Sequence, residues 1–280
     1  MISGLLTALV ALGLALVYRA NRILNFAQGD LGTVPTTVVV GLVAVTGLPW
    51  LVGAALGLVF AVVLGAVIEF FIIRRFARAP RLLLTVATIG LSQLLVVAGT
   101  LLPRWWGKTI FAAERLPDPF EASIEIGNQT LGGTEVLALV LAPVLMAGLA
   151  LFLRGTDVGV AVRAAAERSD RAALLGIPVR RLQTLVWVVA TVLSFCGVFL
   201  HAGIFGFGGA STLSPQALVF ALGALVIGRM DHLPAIAASA VALRILEQGI
   251  LVNNPSQPGR TYVVLAALLL VVLVVRRSGT

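Results

Sequence analysis

The chain has 280 residues, 59% of them hydrophobic and 11% charged, with a mean hydropathy of +1.06. That balance excludes a soluble globular domain and describes a helical protein that crosses a membrane many times. A formal net charge of +8 would suggest nucleic acid in a soluble chain, but most basic residues stand at the ends of apolar runs, where positive charge fixes orientation, so nucleic acid is excluded as a partner.

The first apolar run covers residues 2–18, with no basic residue ahead of it and Arg19 behind it. This is the reverse of a cleavable signal peptide, so the run is expected to stay as a span. Further runs at residues 31–47, 50–73, 82–103, 134–153, 183–203, 215–229, 233–251 and 261–275 bring the candidate crossings to nine. The seventh is short for a bilayer, which leaves open whether it crosses fully.

Alternation from an external amino terminus places Arg19 and Arg22, residues 74–81, residues 154–182, Arg229 and the pair Arg276 and Arg277 on one side. Every strongly basic loop then faces the same way, which makes that side and the carboxyl terminus cytoplasmic. The outer side receives the turn at residues 47–49, residues 104–133 with three basic and four acidic groups, the uncharged residues 204–214, and residues 252–260.

Between the first two runs, the segment YRANRILNFAQGDLG carries Asn21, Asn25, Gln28 and Asp30, with Gly29 and Gly32 free to leave the helix. It reads either as a solvated turn or as a broken helix whose freed backbone lines a water-filled path, the place where such backbone is tolerated at membrane depth. The third run repeats small residues every four positions, Gly53, Gly57, Ala61 and Gly65, a pattern that lets a neighbouring helix approach closely in lipid. Glu69, near its cytoplasmic end, is expected beside Arg74 or Arg75.

The fourth run holds Thr85, Thr88, Ser92 and Gln93, with Thr85, Thr88 and Ser92 at helical spacing on one face. Such a face serves interhelical hydrogen bonds or a translocation path. Trp105 and Trp106 then open an external loop as interfacial anchors.

Residues 154–182 form the longest polar stretch between runs on the basic side, with six of the twenty basic and three of the twelve acidic residues. A helix is predicted over residues 158–175, capped by Thr156 or Asp157 and stopped by Gly176 and Pro178. Val162, Ala165, Ala166, Ala172, Leu174 and Leu175 form an imperfect apolar stripe, so the helix could dock on a partner.

In the sixth run Cys196 is a packing residue; as the single cysteine it excludes an intramolecular disulfide and a cysteine metal cluster. The glycines Gly203, Gly206, Gly208 and Gly209 fail the dinucleotide pattern, and the sole lysine, Lys108, is no P-loop lysine. Energy for any transport must come from a partner or a gradient. His232 reads as a solvated turn residue, and Arg244 and Glu247, three apart in the eighth run, either pair with each other or face water. With no nucleophile and base, no metal cluster and no cofactor motif, an enzyme is not expected.

Residues 163–199, RAAAERSDRAALLGIPVRRLQTLVWVVATVLSFCGVF, resemble the cytoplasmic loop and following helix of branched-chain amino acid ABC transporter permeases. Arg163, Ala164, Glu167, Ala173, Leu174, Leu175, Gly176 and Ile177 match the family's coupling pattern, and Ile23 to Gly29 look like its Asn-Phe-Ala, His or Gln, Gly motif. Gln28 stands where many relatives carry His, so a proton-dependent role is not expected there. Residues 227–234 depart from the family's glycine-rich turn, and Arg244 is peculiar to this chain whereas an acid at Glu247 is not.

The resemblance runs from about Gly4 to Arg277. It implies an all-α, polytopic transmembrane helical bundle of about eight to nine spans, like the branched-chain amino acid and ribose-type permeases, forming one domain over residues 1–280. It assigns ATPase coupling to Arg163, Ala164, Glu167, Asp170, Leu174, Leu175, Gly176 and Ile177, and the path to Asn25, Phe26, Gln28, Gly29, Thr88, Gln93 and Glu247. It further implies a multi-pass permease of a bacterial cell membrane, importing branched-chain or related amino acids without a cofactor. The partners would be two ABC ATPase subunits, a second permease like or unlike this one, an extracytoplasmic substrate-binding protein and the lipid bilayer. A permease for sugars, urea or short amides, a gradient-driven transporter and a structural membrane protein stay open as alternatives.

Overall fold

The computed structural model describes residues 1–76, 79–108, 116–120, 124–126, 129–167, 169–207, 215–230, 232–253 and 259–277. Its helices are α1 (Ile2–Asn21), α2 (Thr33–Val40), α3 (Trp50–Phe71), α4 (Arg81–Leu101), α5 (Gly133–Gly155), α6 (Asp157–Glu167), α7 (Ser169–Leu174), α8 (Val179–Phe205), α9 (Pro215–Ile227), α10 (Leu233–Asn253) and α11 (Gly259–Arg277). Among the described residues, α1, α3, α4, α5, α8 and α10 are long and apolar enough to cross a membrane, and shorter apolar helices lie at 30–45, 217–227 and 263–272. The fold is a polytopic helical bundle.

Two helices form its axis. The apolar windows of α1 and α8 are 72% and 67% buried, against 17–28% for the other four spans, so α1 and α8 are wrapped by protein while the others present one face outward. α1 packs on α8, α10, α9 and α5, and α8 packs on α1 and α3. The small-residue stripe of α3 explains how α3 comes so close. A Cβ added at Gly57 would overlap Val39 and Phe195, and one at Gly65 would meet Thr191 Oγ1 and the Val188 backbone. The outer faces of α3, α4 and α5 carry exposed Val59, Phe71, Leu82, Leu94, Val140 and Leu151, which suit lipid or another membrane subunit.

The second run departs from a plain span. After α1 ends on Arg22 in the left-handed region (φ 54°), residues 23–29 are irregular, and helical structure resumes as a 3-10 turn at Asp30–Gly32 that feeds α2 and a π-helical turn at Gly41–Val45. Outside the spans, β1 (Ile124–Ile126) pairs antiparallel with β2 (Gln129–Leu131), a small hairpin ahead of α5 that an all-α expectation omits. Asp118 ties this stretch to α5: its Oδ1 accepts the Thr134 hydroxyl at 2.7 Å and the Thr134 N–H at 3.1 Å, an acid at a helix amino terminus.

The polar stretch is helical over α6 and α7. The Thr156 hydroxyl accepts the Gly159 N–H at 2.9 Å and caps α6, and α7 follows from Ser169. α7 ends as its glycine demands. Gly176 has φ +81°, its N–H reaches the Ala173 carbonyl at 3.0 Å, and the Ile177 N–H reaches the Ala172 carbonyl at 3.0 Å, the paired bonds of a Schellman stop.

Candidate translocation path and coupling surface

The irregular segment does not sit in solvent. Asn25 and Gln28 are fully buried, and their amides form a relay. The Ala27 N–H donates to Asn25 Oδ1 at 3.1 Å, Asn25 Nδ2 donates to Gln28 Oε1 at 3.1 Å, and Gln28 Nε2 donates to the Ala190 carbonyl of α8 at 2.9 Å. One hydroxyl clamps the segment's far end, since Ser194 Oγ donates to the Gln28 carbonyl at 2.6 Å and accepts the Gly32 N–H at 3.0 Å. On the other side the Phe26 N–H donates to Thr88 Oγ1 of α4 at 3.1 Å, and that hydroxyl donates to the Thr85 carbonyl at 2.7 Å.

These partners fix the depth. Ala190 lies eleven residues into α8 and Gln28 also meets the notch at Gly13, eleven residues into α1, each about 16 Å along its helix. The chain therefore turns back after α1 and begins a half-helix near the middle of the bundle. Non-helical backbone is tolerated at that depth because protein groups, rather than lipid, satisfy it.

Asp30 opens the half-helix. It is partly exposed, and its Oδ2 accepts the Ser92 hydroxyl of α4 at 2.5 Å. An acid on the first turn of a helix is favoured by the helix dipole. Only the helical spacing of Thr88 and Ser92 signals this contact in advance. Both residues make bonds between elements, whereas the Thr85 hydroxyl turns back to the Arg81 carbonyl at 3.0 Å.

The remaining expected path residues are placed as follows along the chain. Phe26 is half-buried and Gly29 buried within the irregular segment, whereas Gln93 is exposed, on a different side of α4 from Thr88. Glu247 is bound to Arg244 NH1 at 2.6 Å. Arg244 Nε donates to Thr7 Oγ1 at 2.9 Å, and the guanidinium lies 4.6 Å from the Phe220 ring centroid. The pairing within α10 thus neutralises the intramembrane charges.

At the basic end of the bundle, Glu69 is 1% exposed and takes Arg74 through both oxygens, Nε to Oε1 at 3.2 Å and NH2 to Oε2 at 2.9 Å. The Thr184 hydroxyl adds a bond to Oε2 at 2.7 Å and so ties the end of α3 to the start of α8. A cavity of about 880 Å³ opens beside this pair, lined among others by Asn21, Arg22, Arg74, Arg81, Glu167 and Arg171.

α6 packs on α1, α5 and α8 through Gly159, Val162 and Ala165. Of the expected coupling residues, Arg163 and Ala164 are half-buried and Glu167 is exposed. The Asp170 side chain lies outside the described residues. Leu174 and Leu175 are 88% and 81% exposed at the carboxyl end of α7, while Ile177 packs against the main core and anchors the turn. No group of three metal-ligating side chains occurs among the described residues.

A many-span bundle built on a discontinuous helix, with a helix pair set outside the spans, is the build of a membrane permease subunit. The chain belongs to the family described as branched-chain amino acid transport system / permease component, whose model it matches over residues 1–273. It is 28% identical to the high-affinity branched-chain amino acid transport system permease protein LivH of Escherichia coli, over 97% of this chain and 90% of that protein. It is 26% identical to the corresponding protein BraD of Pseudomonas aeruginosa, over 86% of this chain and 80% of that one. A probable branched-chain amino acid transport permease protein LivH of Methanocaldococcus jannaschii is 25% identical over 68% of this chain. No solved structure matches it.

Proposed function

We propose that this permease subunit carries branched-chain amino acids inward across the cell membrane, driven by two ATPase subunits docked on α6 and α7. The observation that carries the reading is the pair Leu174 and Leu175, 88% and 81% exposed on a turn that Gly176 and Ile177 otherwise hold firmly. Two adjacent leucines presented to water beside charged Glu167 and Arg171 suit a protein partner. The substrate class is the one in the names of the relatives.

Arg163, Ala164, Glu167, Asp170, Leu174, Leu175, Gly176 and Ile177 form the coupling surface on the basic, cytoplasmic side. Force on α6 passes to α1 and α8, against which it packs, and these helices carry Gly13, Ala190 and Ser194, which hold the irregular segment. Asn25, Phe26, Gln28, Gly29 and Thr88 act as a fixed wall of the path, and Asp30 with Ser92 supplies its polar lining. Gln93 faces a second permease subunit, and Glu247 contributes through its pair with Arg244. A substrate-binding protein docks on the external loop around the hairpin.

The test is affinity purification of the tagged chain in mild detergent with mass spectrometry of what accompanies it, followed by uptake of labelled leucine, isoleucine and valine in cells lacking their own importer. Two ATPase chains, a second permease and ATP-dependent uptake are expected. A chain that arrives alone and transports with ATP withdrawn would overturn the assignment.

A further inference from the structure

α5 and α10 both pack on α1, and a furrow is left between them. Its inner part is an apolar cavity of about 210 Å³, reaching from Leu233 and Pro234 up to Leu12 and Met146. Ala150, Leu233 and Pro234 also line a second cavity of about 170 Å³ at the helix ends, whose charged lining among the described residues includes Arg154 of α5 and Arg163 of α6, with exposed His232 beside them. An apolar slot and a basic pocket therefore share a wall. Met146 and Arg154 are eight residues apart on one helix, so together the cavities span about 12 Å along the membrane normal, most of one leaflet's hydrocarbon depth.

A second feature points to a missing anion. Arg163 Nε is buried and has no hydrogen-bond partner among the described residues. Leaving a buried cationic donor unmade is costly, and an acceptor in the basic pocket would remove that cost. Water alone would supply an acceptor but no reason for arginines of two helices, Arg154 and Arg163, to meet beside an apolar slot.

We infer that this furrow binds one anionic phospholipid of the leaflet on the basic face, with its phosphate between Arg154 and Arg163 and an acyl chain in the slot between α5 and α10. Basic pockets at helix ends recognise lipid headgroups by this charge complementarity. The site joins the end of span α5 to α6, so the lipid braces the helix on which coupling is proposed to act.

The experiment is native mass spectrometry of the purified chain, with whatever subunits accompany it, titrated with phosphatidylglycerol, phosphatidylcholine or inorganic phosphate. One tightly held phosphatidylglycerol is expected, with phosphatidylcholine weaker. Each arginine near the surface is worth about fivefold, so Arg154→Gln with Arg163→Gln should weaken phosphatidylglycerol about 25-fold. Arg154→Gln alone, at an exposed position, cannot fail through packing and should show about fivefold. Ala150→Phe should block the slot, whereas Arg81→Gln, which lines the other cavity, should leave binding unchanged. Equal binding of both lipids, equal loss with Arg81→Gln, or displacement of the lipid by millimolar inorganic phosphate would each overturn the proposal.

Discussion

Gln28 donates from Nε2 to the carbonyl of Ala190 at 2.9 Å, joining two residues 162 positions apart in sequence. The contact requires Gly13, because a Cβ there would overlap the Gln28 amide. A glycine on α1, an amide in the irregular segment and a carbonyl on α8 thus form one unit at the middle of the bundle.

Gln28→Ala should therefore destabilise the chain by about 1–3 kcal/mol, since Asn25 Nδ2 loses its acceptor while still fully buried. Gln28→Glu should fare no better: a carboxylate cannot donate to Ala190. Thermal unfolding in detergent measures both. A melting temperature equal to that of the wild type in either variant would mean that the relay does not hold the segment.

The Glu69 and Arg74 pair predicts an asymmetry. Arg74→Ala leaves a carboxylate that is 1% exposed with Thr184 as its remaining side-chain partner, whereas Glu69→Ala leaves a guanidinium that is 33% exposed and free to turn to water. Removing one partner of a buried pair costs about 3–5 kcal/mol, and the more buried partner left behind is the worse case. Arg74→Ala should thus be the more destabilising, and the double alanine variant should recover towards Glu69→Ala. A double-mutant cycle on unfolding midpoints decides it, and equal single losses that simply add would contradict the buried pairing.

The stripe on α3 gives a packing test. Gly57→Leu forces α3 away from Val39 and Phe195 and should lower the yield of folded protein sharply, beyond the 1–3 kcal/mol typical of overpacking. Gly90→Ala on α4 meets nothing within 4 Å and should leave the isolated chain unchanged or stabilise it by up to about 1 kcal/mol. Expression level and melting temperature check both variants. A Gly57→Leu chain as abundant and stable as the wild type would remove the stripe from the account.

Local chemistry made much of this fold readable in advance. The apolar runs place the spans, the four-residue repeat of small residues places the close face of α3, and Thr156 and Gly176 mark helix ends because capping and positive φ are properties of single residues. The pairings across elements are harder. Asp30 and Ser92 are 62 positions apart, and no periodicity within either helix says that the second run restarts at mid-depth. Gln93 shows the converse limit: it sits five residues past Thr88 and so on another side of α4, which its polarity alone does not reveal. The hairpin at 124–131 was hidden for a third reason, since three-residue strands lack a pattern long enough to detect.

The coupling surface separates stability from partnership. Leu174 and Leu175 are 88% and 81% exposed, so Leu174→Asp with Leu175→Asp should change the stability of the isolated chain by no more than about 0.5 kcal/mol. Recovery of ATPase subunits should nonetheless fall at least tenfold, and uptake should be abolished. Glu167→Arg with Gly176→Pro should reach the same end by another route. Proline cannot adopt the +81° φ of Gly176 and lacks the N–H that reaches Ala173, so the turn presenting the two leucines is lost while the spans still insert. Copurification, uptake and a membrane-fraction blot on the same cells read all three quantities. Undiminished ATPase recovery and uptake in both double variants would remove α6 and α7 from coupling, whereas loss of membrane insertion in the leucine pair would show that the exposed turn serves folding instead.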